Sequence, residues 1–270
     1  MSTVSEAQLL KDNREALVTT LNEIGFREVN EKTPLSEIAE YMKWAGGLRD
    51  LRLATINKST GEYSAFTQKE WDALSATAKA SRVKLGIEIR AERQQFIISK
   101  DNIYRSNGAT SMPWCGSNVD VKGLTNYGDG SLGHLKDIDG EANTDLILAH
   151  GEANNITFEA AERARAYKAS TTADGGYEDP TKWSLPAVGQ LWLLYKYFKE
   201  INAALTYFFG TTQLITNDWY WSSTEYDSSY AWGVSMSNGY VSINVDTYKG
   251  YACRVRAVAP VPAASAMKTL

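Results

Sequence analysis

The sequence predicts an α+β fold, because helical and strand periodicities occur in separate segments of the chain. Apolar residues recur at helical spacing in residues 7–24 and again in residues 187–205. Residues 232–246 instead alternate apolar and polar side chains around Asn238-Gly239, which is the strongest short hairpin signal. A long Gly- and Asn-rich stretch, residues 107–140, separates these patterns. At 270 residues the chain is long enough for two small domains.

Residues 1–100 are predicted to form a small α+β module. Its first helix covers residues 7–24, and Thr33-Pro34 marks the start of a second, since threonine caps helices and proline suits a first turn. Thr67 and Glu70 have the spacing of a capping box, which predicts a helix over residues 67–80. The predicted strands of the module are residues 50–56, 63–66, 83–90 and 94–99.

Residues 101–262 are predicted to form a second domain, because compact helix and strand signals give way here to long Gly- and Asn-rich segments. One helix is expected within residues 149–167. A second helix follows the entry Trp183-Ser184-Leu185-Pro186, and Leu191 and Leu194 lie on its apolar stripe.

The residues around Asn238-Gly239 are predicted to form one hairpin with polar and apolar side chains on opposite faces. A two-residue type I′ turn at this dipeptide sets Val234 opposite Ile243. Because side chains alternate with period two along a strand, six apolar residues share one face and are expected to be buried. They are Trp232, Val234, Met236, Val241, Ile243 and Val245.

The other face of this hairpin consists almost entirely of Ser, Tyr, Asn, Asp and Gly. Ordinary strands are depleted in Gly, Asp and Asn, whereas antibody paratopes combine rigid Tyr with adaptable Ser, Gly and Asn. The composition indicates a binding surface; a sheet edge with polar loops is the alternative. The candidate ligand-binding residues are Asp227, Ser229, Tyr230, Gly233, Ser235, Ser237, Tyr240, Ser242, Asn244, Asp246, Tyr248 and Gly250. Among them, Ser235, Ser242, Asn244 and Asp246 are expected to be accessible.

Four motifs near the C-terminus carry a family resemblance. They are Trp219-Tyr220-Trp221-Ser222-Ser223-Thr224-Glu225-Tyr226, Ala231-Trp232, Asn238-Gly239 and Arg254-Val255-Arg256-Ala257-Val258. Together they resemble the C-terminal segment of the variable proteins of diversity-generating retroelements, which phages and bacteria carry. The resemblance implies a C-type-lectin-like domain over residues 101–262, with a diversified region at about residues 219–256.

The same resemblance explains the residue types on the polar face. In that family, error-prone copying of a template randomises adenines, so asparagine codons change to codons for Ser, Asp, Tyr or Gly. These are the residues found on the polar face, and the pattern skips the six apolar residues of the hairpin. The resemblance and the hairpin pattern therefore predict the same surface independently.

The resemblance implies a non-enzymatic protein that binds a host-surface protein or glycan, with no cofactor. The virion, at the phage tail, is the expected location, and residues 1–100 would attach the domain to tail or fibre proteins. Homo-oligomers are compatible with this interpretation. The alternative locations are the bacterial cell surface, as a displayed lectin-like binder, and the cytoplasm of the lysogen.

Charge and hydropathy argue against other partners. A net charge of −4 gives no electrostatic footprint for nucleic acid or an anionic membrane. No apolar run approaches the roughly 20 residues that span a bilayer. The first residues have neither a basic n-region nor an apolar h-region, so no signal peptide is expected.

Catalytic and metal-binding patterns are weak. Cys115 and Cys253 lie far apart in the sequence and do not have CxxC spacing. Two buried free thiols are therefore expected, and a disulfide between them is the alternative. The alternative function is an enzyme of the formylglycine-generating family, which shares this general fold and uses closely placed cysteines. The acidic run at residues 137–145 is interpreted as a solvated turn, since its glycine is misplaced for an EF-hand. Glu178-Asp179-Pro180 likewise does not match the motif of calcium-dependent sugar-binding lectins.

Overall fold

The structure is a computed structural model of the chain. It describes residues 6–23, 32, 47–92, 94–127, 132–171, 177–210, 214, 218–242 and 248–262. Contacts divide the chain into two compact units. The first comprises residues 1–49 and 91–93, and the second comprises residues 50–90 and 94–270. Helices and strands are mixed, as the predicted α+β class requires.

Five strands of the described residues form one sheet: β1 (Leu48–Asn57), β2 (Tyr63–Phe66), β3 (Arg82–Ala91), β4 (Gln94–Ile103) and β10 (Val255–Pro260). Their order across the sheet is β10-β4-β3-β1-β2. The C-terminal strand β10 pairs antiparallel with β4. The predicted domain boundary at residue 101 is therefore wrong, because one sheet joins strands from both sides of it. The patterns that predict β1 to β4 depend only on neighbouring residues. They do not indicate that a strand about 150 residues further along the chain completes the sheet.

Among the described residues, three helices precede β3 in the sequence. The predicted first helix is confirmed as α1 (Glu6–Glu23). The predicted helix over residues 67–80 is two helices, α2 (Gln68–Ala73) and α3 (Ala76–Ala80). The capping box of α2 is confirmed, but Ser75 starts a new helix by accepting a hydrogen bond from the Ala78 N–H. The second predicted helix, after Thr33-Pro34, lies outside the described residues.

The C-terminal half contributes α4 (Gly140–Asn154), α5 (Glu159–Arg165), α6 (Val188–Lys196) and α7 (Phe198–Phe209). The acidic run at residues 137–145 is the cap and first turns of α4, with the Asp139 carboxylate accepting from the Ala142 N–H, and not a solvated turn. Asn155, at a φ of 53°, ends α4 in the left-handed region and separates it from α5. The single helix predicted within residues 149–167 is therefore the end of one helix and the whole of another.

Two smaller sheets complete the described fold. Strands β5 (Met112–Pro113) and β9 (Ala252–Cys253) form one pair, and β6 (Trp219–Glu225), β7 (Ala231–Ser235) and β8 (Val241–Ser242) form a three-stranded sheet. The apolar core combines buried side chains from all three sheets with those of the helices α4 and α5. Its largest side chains are Trp114, Phe158, Trp183 and Trp221, all of them almost fully buried. Among the described residues, no helix is both long enough and apolar enough to cross a membrane.

Candidate interaction surface

The hairpin around Asn238-Gly239 exists, but in another register than predicted. Val234 pairs with Val241, not with Ile243. The Ser235 N–H donates to the Tyr240 carbonyl at 2.9 Å, so residues 236–239 form a four-residue loop. The predicted type I′ turn needs positive φ at both central residues. Of that pair only Gly239 has a positive φ, at 72°, and the Asn238 side chain accepts a hydrogen bond from the Tyr240 N–H.

The shift by two residues keeps the predicted faces, but burial does not follow them. Trp232, Val234 and Met236 are buried as predicted. Ser235, predicted to be accessible, is only 5% exposed, and Gly233 is buried as well. β7 pairs with β6 and β8 along its two edges and also packs against helix α6, and the Ser235 hydroxyl lies 2.7 Å from the Ser237 hydroxyl. Ile243, Asn244, Val245 and Asp246 lie outside the described residues, as does the side chain of Ser242.

The hairpin loop also fits closely against α6. A Cβ atom added to Gly239 would lie 2.0 Å from the Tyr195 ring, and the φ of 72° is unfavourable for any other residue. We expect Gly239→Ala to lower the free energy of unfolding by about 2–4 kcal/mol, from left-handed strain and overpacking together. Gly61→Ala is the matched control, because Gly61 has a φ of 69° with open space around its Cβ position. Equal losses in chemical denaturation of the two variants would show that Tyr195 does not constrain the loop.

Three tyrosines form a cluster at one end of β7. The Tyr230 and Tyr248 rings meet edge to face at 5.9 Å, and those of Tyr248 and Tyr251 at 5.5 Å. Tyr230 and Tyr248 also pair through their backbones in an isolated antiparallel bridge. The Tyr248 hydroxyl donates to the Asn118 side-chain oxygen at 2.7 Å, and Tyr251 is 47% exposed. We call Tyr230, Tyr248 and Tyr251 the tyrosine cluster.

The loop before β7 completes this end of the sheet. One carboxylate oxygen of Asp227 accepts from the N–H groups of Ser229 and Tyr230, at 2.7 and 2.8 Å. The Val119 N–H donates to the Ser228 carbonyl at 2.8 Å, and the Lys249 N–H donates to the Ser229 carbonyl at 3.0 Å. Of the predicted ligand-binding residues, the structure therefore brings together Asp227, Ser229, Tyr230, Tyr248 and Gly250.

Ser237 and Tyr240 lie apart from that group. Both are exposed, Tyr240 at 54%, but Ser237 belongs to the loop at the opposite end of β7 and Tyr240 directly follows that loop. At a rise of about 3.3 Å per residue, the five residues of β7 separate Tyr230 from this loop by about 16 Å. Together with the buried Gly233 and Ser235, this separation means that the described residues do not form the contiguous surface predicted from the sequence.

A buried lysine lies beneath the tyrosine cluster. Lys249 is fully buried, and its ammonium donates to the Glu225 carboxylate and, at 2.7 Å each, to the carbonyls of Val119 and Asp227. It also lies 4.7 Å from the centre of the Trp114 ring, a cation–π distance. The three protons of the ammonium thus connect three separate chain segments.

Glu225, the partner of Lys249, is equally enclosed. It is fully buried and accepts from the Val121 N–H through both carboxylate oxygens, at 3.1 and 3.3 Å. Burial raises the pKa of Glu225 and lowers the pKa of Lys249, since desolvation disfavours both charges, while their hydrogen bond opposes both shifts. The surface loops therefore rest on a desolvated ion pair.

Sequence reasoning missed Asn118, Lys249 and Tyr251 as parts of this site. Tyr251 could have been predicted, because it lies in the Tyr248–Tyr251 segment and is a tyrosine like several residues of the polar face. Asn118 is 130 residues away from Tyr248 and carries no motif. Lysine is among the residues least often fully buried, so Lys249 gave no signal of an internal position.

The acidic residues that were considered as metal ligands have partners within the protein. The buried Asp137 carboxylate accepts from Thr224 and Asn143, and Asp145 pairs with Arg165 and Lys182. Within the described ranges, His, Cys, Asp and Glu side chains form no group of three that could hold a metal ion.

Cys115 and Cys253 are both buried and neither forms a disulfide, as expected from the sequence. Burial raises the pKa of Cys115, which disfavours the reactive thiolate that cysteine chemistry needs.

Comparisons with known proteins give little further information. No family model and no curated protein matches the chain. Among solved structures, a fimbrial protein from Bacteroides ovatus ATCC 8483 matches with a TM-score of 0.43 and 15% sequence identity. The match covers 62% of this chain and 36% of that one, so the chain spans about a third of the length of the fimbrial protein.

Proposed function

We propose that this protein is a non-enzymatic receptor-binding protein whose recognition surface centres on the tyrosine cluster. The observation that carries the proposal is the cluster itself: three adjoining tyrosines, one of them 47% exposed, among serine, asparagine and glycine. Rigid tyrosines with small polar neighbours are typical of paratopes. Interface energy concentrates in a few aromatic residues of this kind.

The finer identity follows from the C-terminal motifs. We propose that the domain is C-type-lectin-like and that a retroelement diversifies its surface at about residues 219–256. Phage attachment to a bacterial host, through a surface protein or glycan, is the role that such a surface serves best. The N-terminal unit would then attach the domain to tail or fibre proteins. Several copies on one particle would raise avidity without new contacts.

The proposal is tested by measuring binding to intact cells of the bacterium whose genome carries the gene, and of related strains. We expect Tyr230→Ala, Tyr248→Ala and Tyr251→Ala, combined in one variant, to abolish measurable binding, since each anchor contributes about 2 kcal/mol or more. Tyr248→Phe is the matched control for the hydroxyl bond to Asn118. Tyr240→Ala tests the separate loop at the other end of β7.

Two outcomes would contradict the proposal. Undiminished binding by a triple variant with the parent's melting temperature would place recognition elsewhere on the chain. If Tyr240→Ala alone abolished binding, the hairpin loop, and not the tyrosine cluster, would be the recognition surface. For the retroelement part, the neighbouring DNA should contain a reverse transcriptase gene and an imperfect repeat of the codons for residues 219–256.

A further inference from the structure

Resting on the proposed function, we infer that the Gly116–Asp120 loop belongs to the recognition surface and that the partner is a protein presenting lysine or arginine side chains. This loop lies outside the region that the sequence resemblance marks as diversified. Gly116, Ser117, Asn118 and Asp120 are all exposed. The inference thus adds a segment to the surface and assigns a chemistry to its partner.

The loop is attached to the tyrosine cluster through both backbone and side chains. The Asn118 side chain accepts the Tyr248 hydroxyl at 2.7 Å, and the Val119 N–H donates to Ser228 at 2.8 Å. From below, the Lys249 ammonium holds the Val119 carbonyl at 2.7 Å. A partner that contacts Tyr248 and Tyr251 would therefore meet this loop as well.

Lys249 acts here as a positioning residue. Its ammonium holds the carbonyls of Val119 and Asp227 at the same distance, 2.7 Å, so one buried cation sets the spacing of the two loops. Glu225 neutralises the charge of Lys249, and because Lys249 is buried it adds no positive charge to the exposed surface. Side chains above it can vary in sequence without changing this support.

Charge indicates the partner. The surface segments, residues 116–120, 227–230 and 248–252, contain two acids, Asp120 and Asp227, and one base, the buried Lys249. Lys122, two residues beyond the first segment, is an exposed cation, and its backbone N–H donates to the His150 ring on α4. Carboxylates beside tyrosine faces favour cationic side chains through charge complementarity and cation–π contact.

The two acids allow their charge to be removed without changing the loop geometry. In Asp120 and Asp227 the oxygen Oδ1 accepts the local hydrogen bonds, from Asn126 in the first case and from two N–H groups in the second. Asparagine retains an oxygen acceptor at that position, so Asp120→Asn with Asp227→Asn leaves those bonds possible. Glu62→Gln with Glu152→Gln is the control, because it removes the same charge from exposed positions elsewhere.

A second pair of variants tests the loop directly. Ser117→Arg adds a bulky cation to the exposed loop, where it should repel a cationic partner. Ala153→Arg adds the same side chain at an exposed position of α4. All variants are compared with the parent and with the tyrosine triple variant, at equal melting temperature. The probe is intact cells of the bacterium whose genome carries the gene, untreated, treated with protease, or oxidised with periodate.

We expect Asp120→Asn with Asp227→Asn to weaken binding about tenfold at low salt, and Ser117→Arg to weaken it at least as much. Both control variants should bind like the parent. Binding by the parent should fall with increasing salt, because exposed charges are screened. Protease treatment of the cells should abolish binding, and periodate should leave it unchanged.

The remaining outcomes separate this inference from the proposed function. Loss of binding in the tyrosine variant, with parental binding by the loop and asparagine variants, would overturn the inference alone. Loss after periodate but not after protease would identify a glycan partner and overturn it too. Parental binding by the tyrosine variant, or no binding to any of the cells, would overturn the proposed function and with it the inference.

Discussion

Replacing Lys249 by methionine is expected to lower the free energy of unfolding by about 3–5 kcal/mol, the cost of breaking a buried ion pair by removing one partner. The variant leaves the Glu225 carboxylate fully buried without its cation. It also leaves the carbonyls of Val119 and Asp227 without their donor. Methionine fills a similar volume against Trp114, so the loss should come from the missing charge and hydrogen bonds rather than from a cavity. Chemical denaturation of parent and variant measures it.

The double variant Lys249→Met with Glu225→Gln separates the charge from the packing. Glutamine can still accept from the Val121 N–H, and no buried charge remains, so the double variant should be more stable than Lys249→Met alone.

The pH dependence of stability provides a second test of the ion pair. Without Lys249 the raised pKa of Glu225 should rise further, so the variant's deficit relative to the parent should be smaller at pH 5 than at pH 8. A deficit independent of pH, and unchanged by the second substitution, would mean that the ion pair is not the source of the loss.

Local signals in the sequence were sufficient for most elements of the fold. The periodicity of residues 7–24 predicted α1, and the capping box at Thr67 predicted the start of α2. Strands β1 to β4 were predicted to within a few residues. The pairing of β10 with β4 could not be predicted, since the partner of an apolar strand depends on the whole chain. The predicted domain boundary is wrong for the same reason.

The candidate site was likewise predictable only where the signal is local. Tyr230 and Tyr248 were predicted as surface residues from composition, and the structure brings them together. Ser235 was predicted to lie on an accessible face because alternation shows which side chains share a face, but not whether other parts of the chain pack against that face. Nothing in the sequence indicated the support beneath the surface, because the partners of Lys249 come from two separate segments, at Val119 and at Glu225 and Asp227.

His134 is expected to make the fold sensitive to acid. Its ring stacks on Trp232 at 3.9 Å and is 9% exposed, and neither ring nitrogen has a hydrogen-bond partner. Burial lowers the pKa of His134 from 6.5 to about 4, because desolvation disfavours the imidazolium. The unfolded chain therefore binds a proton more readily than the folded one. Stability from this residue is complete above pH 6.5 and declines as the pH falls towards 4.

The size of the effect follows from the same pKa values. Each tenfold difference in proton affinity is worth about 1.4 kcal/mol, so His134 should cost about 3 kcal/mol of stability between pH 6.5 and pH 4. His134→Phe keeps an aromatic ring on Trp232 and cannot titrate. The measurement is the difference in unfolding free energy between parent and variant across that range, since other acid-titrating groups contribute equally to both. The stability of His134→Phe relative to the parent should increase as the pH falls. A difference between parent and His134→Phe that stays constant from pH 7 to pH 4 would show that the imidazole already carries a proton, or reaches solvent, in the folded protein.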